Sequence, residues 1–398
     1  MRYVAAIDPS GAVRAMYGGR DFDDNEFNYA TGSGGLGRQA GSAMKPFVLA
    51  TAIQQGISLQ SRFEAPGRIE LEIPGDDWRV SNYGGTEQGV LDLIQATRVS
   101  SNTAYAQLML EVGPQHVVDL ARRMGISRPL DPFPALVLGT EEVSPLDMAT
   151  AFSTFADGGV HRTAYVIDRV VRPDGSTVTP PRAEEQVLTP EQNAQVVYAL
   201  RQVVEGGTAT GARLPNSPAA GKTGTTQENV DAWFIGFTPN GLTASVWMGY
   251  EPTDTDGDGV VDEARPMSDV HGRSVTGGSF PATIWRNFMR EWVDLVGVDP
   301  GRFPSVTSFP GERLGSDIST TTTSLPPCAE GQVSSEDEPC ETTTSSSSSS
   351  TDTTATTVVD PNSTTLPPST TAPPPSTTAQ PSTTSPPTTT GPSVPPPP

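Results

Sequence analysis

Ala219-Ala220-Gly221-Lys222-Thr223-Gly224-Thr225-Thr226, then Ala232-Trp233-Phe234-Ile235-Gly236-Phe237, then Thr243-Ala244-Ser245-Val246-Trp247-Met248-Gly249-Tyr250, are three short runs near the end of the ordered-looking part of the chain. They are rich in β-branched and aromatic residues, and Pro239-Asn240-Gly241 between the last two is turn chemistry, so they predict three successive strands. Downstream, Phe280 to Val296 carries Trp285, Phe288, Met289 and Trp292 at helical spacing and predicts a closing helix. At the other end, Val4 to Ile7 and Val13 to Tyr17 predict two strands about Asp8-Pro9-Ser10-Gly11, with proline at its favoured turn position. Between the two ends the pattern is helical. Ala43 to Gln55 predicts a helix with Phe47, Ala50, Thr51 and Gln54 on one face and Gly56 as its stop. Asp92 to Val99, Thr103 to Val112, Pro114 to Met124 and Pro145 to Ala156 follow. Thr189 as N-cap and Pro190 at the first helical position open one more, running to Glu205. Strands at both ends and helices between predict an α/β (α+β) domain: one antiparallel sheet built from both ends of the domain, with a mostly helical insert.

Composition sets the limits of that domain. The 398 residues carry 46 acids against 25 bases, a formal charge of −21, which argues against nucleic acid or an anionic membrane surface as a partner. Glycine and proline each number 39, more proline than a globular fold uses. From about Gly315 the chain becomes Thr, Ser and Pro, with unbroken serine from Ser345 to Ser350. Such a segment cannot bury enough apolar surface to offset its ordering entropy, so a disordered C-terminal tail is expected. Seven of the 46 acids and none of the bases lie from Ile318 on, so the rest still carries 39 acids against 25 bases. The expected partition is a domain over 1–298, a linker over 299–318 and the tail over 319–398. Cys328 and Cys340, the only cysteines, lie in that tail and could close a disulfide in an exported chain. No run of about 18 apolar residues occurs, and Met1 to Asp8 does not read as a signal peptide.

Arginine occurs 23 times and lysine twice, at Lys45 and Lys222. A lysine kept against such a bias is a candidate for chemistry that arginine, protonated at every physiological pH, cannot perform. In Ser42-Ala43-Met44-Lys45 the hydroxyl and the amine are three apart, on one face of a helix if Ser42 opens it. A helix N-terminus favours developing negative charge, which suits an activated nucleophile. In Lys222-Thr223-Gly224-Thr225 a strand would send Lys222 and Gly224 to one face and Thr223 and Thr225 to the other, with Gly224 leaving space for a ligand. Ser100-Ser101-Asn102 sits between these elements, at the break between two helices, where Ser and Asn are also ordinary caps.

In this order the three elements resemble the Ser-x-x-Lys, Ser-x-Asn, Lys-Thr-Gly set of penicillin-recognising enzymes. Further text resembles one branch, the transpeptidase domain of class A (bifunctional) penicillin-binding proteins, over roughly residues 3 to 295. It includes Ala6-Ile7-Asp8-Pro9, Ala15-Met16-Tyr17-Gly18-Gly19, Gly41 through Phe47, Asp231 through Pro239, and Thr276-Gly277-Gly278 through Trp285. The tail resembles extensions on actinobacterial members. The glycosyltransferase domain and N-terminal membrane helix of that branch have no counterpart in the sequence. The resemblance implies a penicillin-binding/β-lactamase-like fold and a serine acyl-enzyme on Ser42, formed with a peptidoglycan stem peptide or a β-lactam. It implies that Lys45 takes the Ser42 proton, Ser100 relays a proton to the leaving group, and Asn102 holds Lys45 and the substrate amide. Lys222, Thr223 and Thr225 would bind the substrate carboxylate, with Gly224 between them. Backbone N–H groups of Ser42 and Thr225 would form the oxyanion hole. No cofactor is required. Location at the extracytoplasmic face of the bacterial membrane or in the wall is implied, through an anchor absent from this sequence.

Other readings remain open at this point. A D-Ala-D-Ala carboxypeptidase would share every residue above, and a non-turnover β-lactam sensor or wall interaction module would share the fold. A Ser-His-Asp hydrolase has no local support: His116, His161 and His271 are the only histidines, and Gly-x-Ser-x-Gly is absent. One motif stands apart. Asp254, Asp256, Asp258 and Asp262 occupy positions 1, 3, 5 and 9 of a Ca²⁺-loop spacing, with Gly259 at 6 and the Val260 carbonyl at 7; position 12 is Arg265, not glutamate, so Glu263 or Asp269 would have to substitute. A weak structural Ca²⁺ site is the expectation there, against the alternative of a solvated acidic loop.

Overall fold

The five strands anticipated from the two ends of the chain form one antiparallel sheet. The computed structural model describes residues 2–21, 23, 26–32, 37–73, 75–239, 241–250, 265–297, 301–315 and 317. In chain order the strands are β1 (Arg2–Ile7), β2 (Val13–Tyr17), β3 (Arg38–Gln39), β4 (Arg62–Glu64), β5 (Arg68–Ile73), β6 (Asp76–Ser81), β7 (Val90–Asp92) and β8 (Glu142–Val143). Then come β9 (Val160–Arg162), β10 (Val170–Val171), β11 (Thr177–Val178), β12 (Glu184–Gln186), β13 (Ala220–Thr225), β14 (Ala232–Phe237) and β15 (Thr243–Met248). The helices are α1 (Lys45–Gln54), α2 (Leu93–Val99), α3 (Asn102–Val112), α4 (Pro114–Arg123), α5 (Pro145–Ala156), α6 (Pro190–Gly206) and α7 (Phe280–Val296). The sheet order is β13-β14-β15-β1-β2, so the first strand of the chain pairs with the last. That register runs from Arg2 opposite Met248 to Ile7 opposite Thr243.

Alternation along the central strands divides the core in two. Trp233, Ile235 and Phe237 of β14 join the large cluster with α1 and its neighbours, while Phe234 faces α7. Phe234 meets Trp285 edge-on at 5.2 Å, and Trp285 Nε1 donates to the Gly236 carbonyl. Cover on both faces explains why these strands read as continuous apolar runs. Helix α1 differs from expectation. In place of a single apolar stripe, every residue from Lys45 to Ile53 is buried, because α1 is the central helix of the insert. Capping boxes at Asp92, Ser144 and Thr189 set the starts of α2, α5 and α6.

Five two-stranded ribbons were not anticipated: β3–β8, β4–β7, β5–β6, β9–β12 and β10–β11. Most have strands of two or three residues, too short to show a period. The stretch expected as a linker, 299–318, contains a segment that packs on the domain. Phe309 O accepts from Ser58 Oγ, Glu312 exchanges backbone hydrogen bonds with Gly56 and Ser58, and Arg62 N donates to Leu314 O. Phe303 lies edge-on to Phe237 at 5.7 Å, and Phe309 contacts the ring of Tyr198 at 5.2 Å. Apolar side chains at Phe303, Phe309 and Leu314 supply the burial that a linker lacks. Contacts divide the chain into two units, Met1–Ser324 and Leu325–Pro398, the second lying outside the described residues together with Cys328 and Cys340.

Candidate active site

Gly41 to Met44 form a single 3₁₀ turn, and Lys45 is the first residue of α1. Ser42 therefore sits in the turn before the helix rather than opening it. The turn nests against β13 because its contact points lack side chains. Gly41 has φ +57, and a β-carbon there would lie 2.8 Å from Thr225 O. A β-carbon on Gly224 would collide with the Ala40 carbonyl and lie 3.2 Å from Ala43 Cβ. The room at Gly224, expected to admit a ligand, is thus taken by the serine turn itself. The consequence is that Ser42 and Thr225 are held side by side, although 183 positions separate them.

Both lysines are fully buried, and they converge on one serine. Lys45 Nζ donates to Ser100 O at 2.6 Å, to Asn102 Oδ1 at 2.7 Å and to Ser100 Oγ at 3.3 Å. Lys222 Nζ reaches the same Ser100 Oγ at 2.8 Å and donates to Thr223 O at 3.0 Å. Ser100 can present both its oxygens because it adopts the left-handed conformation, φ 61 and ψ 39, at the C-cap of α2. A non-glycine residue held there costs about 1–3 kcal/mol, which the surrounding contacts must offset. Burial, and then the charge of Lys222, push the Lys45 amine well below the ordinary lysine range. Burial pushes Lys222 down to about 7. The Tyr105 ring lies 5.5 Å from Lys45 Nζ, and its hydroxyl pairs with Thr97 Oγ1 at 2.6 Å. A neutral amine at the start of α1 is the state a proton acceptor needs.

The five residues Ser42, Lys45, Ser100, Asn102 and Lys222 thus come from three separate stretches of chain into one place. Thr223 is buried, and its hydroxyl pairs with Thr208 Oγ1 at 2.8 Å. Thr225 Oγ1 accepts from Gly277 N at 3.0 Å, tying the Thr276-Gly277-Gly278 segment to β13. Several contributors were not anticipated. Asn82, Ser81, Thr208 and Tyr105 have no local signature, since each acts across a gap that only the fold closes. Tyr83 OH reaches Asn229 Oδ1 at 3.4 Å, from the loop after β6 to the β13–β14 hairpin. His116 Nδ1 bonds the Val112 carbonyl, and burial lowers His161. Asp254, Asp256, Asp258 and Asp262 lie outside the described residues. Among the described residues, no group of three His, Cys, Asp or Glu side chains could hold a metal ion.

An antiparallel sheet covered on both faces, with a serine turn and two buried lysines at its edge strand, defines the class of penicillin-recognising serine enzymes. Within it, residues 3–264 match the family described as the penicillin binding protein transpeptidase domain. The chain belongs to that family. It is 36% identical over 295 residues to penicillin-binding protein 1A of Neisseria lactamica, covering 71% of this chain and 34% of that protein. The same-named protein of Aquifex aeolicus is 32% identical over 284 residues, covering 71% of this chain and 36% of that one. The chain thus spans about a third of the length of these curated relatives. Among solved structures, PonA1 of Mycobacterium tuberculosis in complex with penicillin V superposes with a TM-score of 0.66 at 28% identity. That match covers 79% of this chain and 82% of PonA1.

Proposed function

We propose that this chain is a peptidoglycan DD-transpeptidase domain that β-lactams acylate and inhibit. The observation that carries the reading is the pair of buried lysines meeting at Ser100. Ser42 Oγ attacks the carbonyl between the two terminal D-alanines of a stem peptide, and its proton passes to neutral Lys45 Nζ. The tetrahedral oxyanion lies against the backbone N–H groups of Ser42 and Thr225. Ser100 Oγ, within reach of both amines, hands a proton to the departing D-Ala nitrogen as the C–N bond breaks. An ester on Ser42 remains. The amine of a neighbouring stem then attacks that ester, gives up a proton along the same route, forms the cross-link and frees Ser42.

Asn102 holds Lys45 through its amide oxygen. Thr223 and Thr225 contact the substrate carboxylate, and Gly224 serves by letting the serine turn reach the strand. Lys222 acts on Ser100 and, through its charge, on Lys45. The domain proper extends from about residue 3 through the packed segment ending near Gly315. Placement at the outer face of the membrane accords with the substrate, and no described helix is long and apolar enough to cross a membrane.

The test is acylation by a labelled penicillin followed by peptide mapping. One adduct on the peptide containing Ser42, lost in Ser42→Ala, is expected; an adduct elsewhere refutes the assignment. Water resolving the same acyl-enzyme would make the protein a carboxypeptidase. Released D-Ala is therefore measured beside cross-linked product with an acceptor amine present.

A further inference from the structure

We infer that Asn82 is a positioning residue that sets Ser100 and Asn102 against the two lysines. The inference rests on the function proposed above and extends it to a residue outside the three motifs.

Helix α3 starts at Asn102, so the first N–H groups of its first turn have no partner within the helix. Ser101 Oγ accepts from Ala104 N at 3.3 Å. Two N–H groups are taken from outside. Asn82 Oδ1 accepts from Asn102 N at 2.8 Å and from Thr103 N at 3.1 Å. Asn82 is 4% exposed, and its other amide atom is equally committed: Nδ2 donates to Pro66 O and Thr86 O, both at 3.0 Å. Its neighbour completes the grip. Ser81 O accepts from Asn102 Nδ2 at 2.8 Å, which turns the Asn102 amide so that Oδ1 faces Lys45 Nζ.

The hydrogen-bond acceptors of Lys45 Nζ therefore all lie in the segment 100–102, at the start of α3, where Asn82 holds the N–H groups of Asn102 and Thr103. Ser100 needs that support, because its left-handed backbone is unfavourable by itself. A shift of the loop would separate Ser100 Oγ from Lys222 and admit water to Lys45. The charged or titratable groups facing Lys45 among the described residues are Lys222 of β13 and Tyr105 of α3, and no carboxylate compensates. Water entry would relieve the desolvation that keeps the amine neutral, and its proton affinity would rise.

The two halves of the Asn82 amide can be tested apart. Asn82→Ala removes both. Asn82→Asp keeps an oxygen for the N–H groups of Asn102 and Thr103 but loses the donors to Pro66 and Thr86. The full chain and both variants are acylated with a fluorescent penicillin between about pH 6 and 9, and melting temperatures are recorded. Asn82→Ala is expected to lose about tenfold or more in acylation rate, roughly the worth of one positioning hydrogen bond. Its acid limb should move to higher pH. Asn82→Asp should recover to within about threefold of the parent, since the oxygen half is restored.

Parental rate and parental acid limb in Asn82→Ala overturn the inference. So do two variants that are equally slow with the parental limb, because Asn82 would then serve the fold alone. If Asn82→Ala does not fold, Asn82→Asp decides: a folded, acylating variant supports the inference, and an unfolded or inert one overturns it. A parent chain that forms no adduct overturns the proposed function and this inference with it. A parent that acylates beside an unaffected Asn82→Ala overturns the role of Asn82 only.

Discussion

Replacing Lys222 by arginine is mild if the lysine is an open cation for a carboxylate, and severe if it is the buried amine of the structure. Lys222 has no exposed surface, and its Nζ lies 2.8 Å from Ser100 Oγ. Burial lowers it to about 7, so near neutrality about half the native molecules carry it uncharged. In the unfolded chain a lysine stays protonated up to about pH 10.4. Between these limits the unfolded state binds more protons than the native state, so this site makes stability rise with pH. Below about pH 7 the lysine is charged in both states, and the site imposes its full desolvation penalty. The rise is about 1 kcal/mol per pH unit on average, or roughly 2 kcal/mol from pH 7 to 9. Arginine cannot shed its proton, so Lys222→Arg has no such rise. The larger guanidinium adds an offset that does not vary with pH. Lys45 remains in both proteins. The assay is thermal melting of parent and variant at about pH 7, 8 and 9, where each kcal/mol moves the midpoint by roughly 2–4 °C. A gap that widens with pH is expected, and Lys222→Met should show a pH dependence as flat as that of Lys222→Arg at this site. A gap constant from pH 7 to 9 would refute the reasoning, since Lys222 would then be charged throughout.

Further outcomes follow from the site, from the segment after α7 and from the acidic stretch 254–262. Lys45→Arg should lose about 10²–10⁴ in acylation rate, the usual worth of a general base, with fluorescent penicillin as the readout. In the parent, the rate should fall as pH drops and Lys45 becomes protonated. A chain ending at Asp317 should melt and acylate like the full chain. One ending at Phe309 should melt several degrees lower, because Glu312 and Leu314 no longer pair with Gly56, Ser58 and Arg62. Calorimetric titration of Ca²⁺ into chelator-treated protein should give binding heat with an affinity weaker than about 10⁻⁴ M, abolished by Asp256→Asn with Asp258→Asn. No heat at millimolar Ca²⁺ would leave 254–262 a solvated acidic loop.

The long elements were legible in the sequence because each carries a local signal. Thr189 with Pro190 marks a helix start that the structure reproduces, and the helices expected from Asp92 and Pro145 begin at Leu93 and Pro145. The alternation through Trp233, Phe234, Ile235 and Phe237 marks β14. Four of the ribbons were not legible, since two or three paired residues show no periodicity; β5 does alternate, Ile69, Leu71 and Ile73 against Arg68, Glu70 and Glu72, a signal the sequence reading passed over. The segment through Phe309 and Leu314 reads as a linker because Pro, Gly and Ser are frequent in it, while Phe303 and Phe309 find their ring partners, Phe237 and Tyr198, and the Phe309 carbonyl its donor, Ser58, only in the folded chain. At the site, the two lysines stood out against 23 arginines. Asn82 did not: an asparagine before Tyr83-Gly84-Gly85 reads as a turn residue, and its partners lie about 20 positions downstream.

The scarcity of lysine has a physical explanation at these two positions. Arginine fits wherever a cation meets solvent or a carboxylate, as at Arg14 with Asp8 or Arg201 with Glu205. It does not fit where a group must be dry and close to another of like charge. Lys45 and Lys222 share Ser100 Oγ, at 3.3 and 2.8 Å, with no carboxylate acting on either. Two permanent charges at that spacing in a dry site would repel strongly. Two amines avoid this by losing protons, and whichever keeps one lowers the proton affinity of the other. The serine between them can then accept from one amine while donating to the other, which is the requirement for moving a proton from nucleophile to leaving group. The glycines that let the serine turn reach β13 keep the site dry, since a side chain at Gly41 or Gly224 would hold the turn away from the strand. Dryness, closeness and neutrality are therefore one property of the packing, and it requires lysine at both positions.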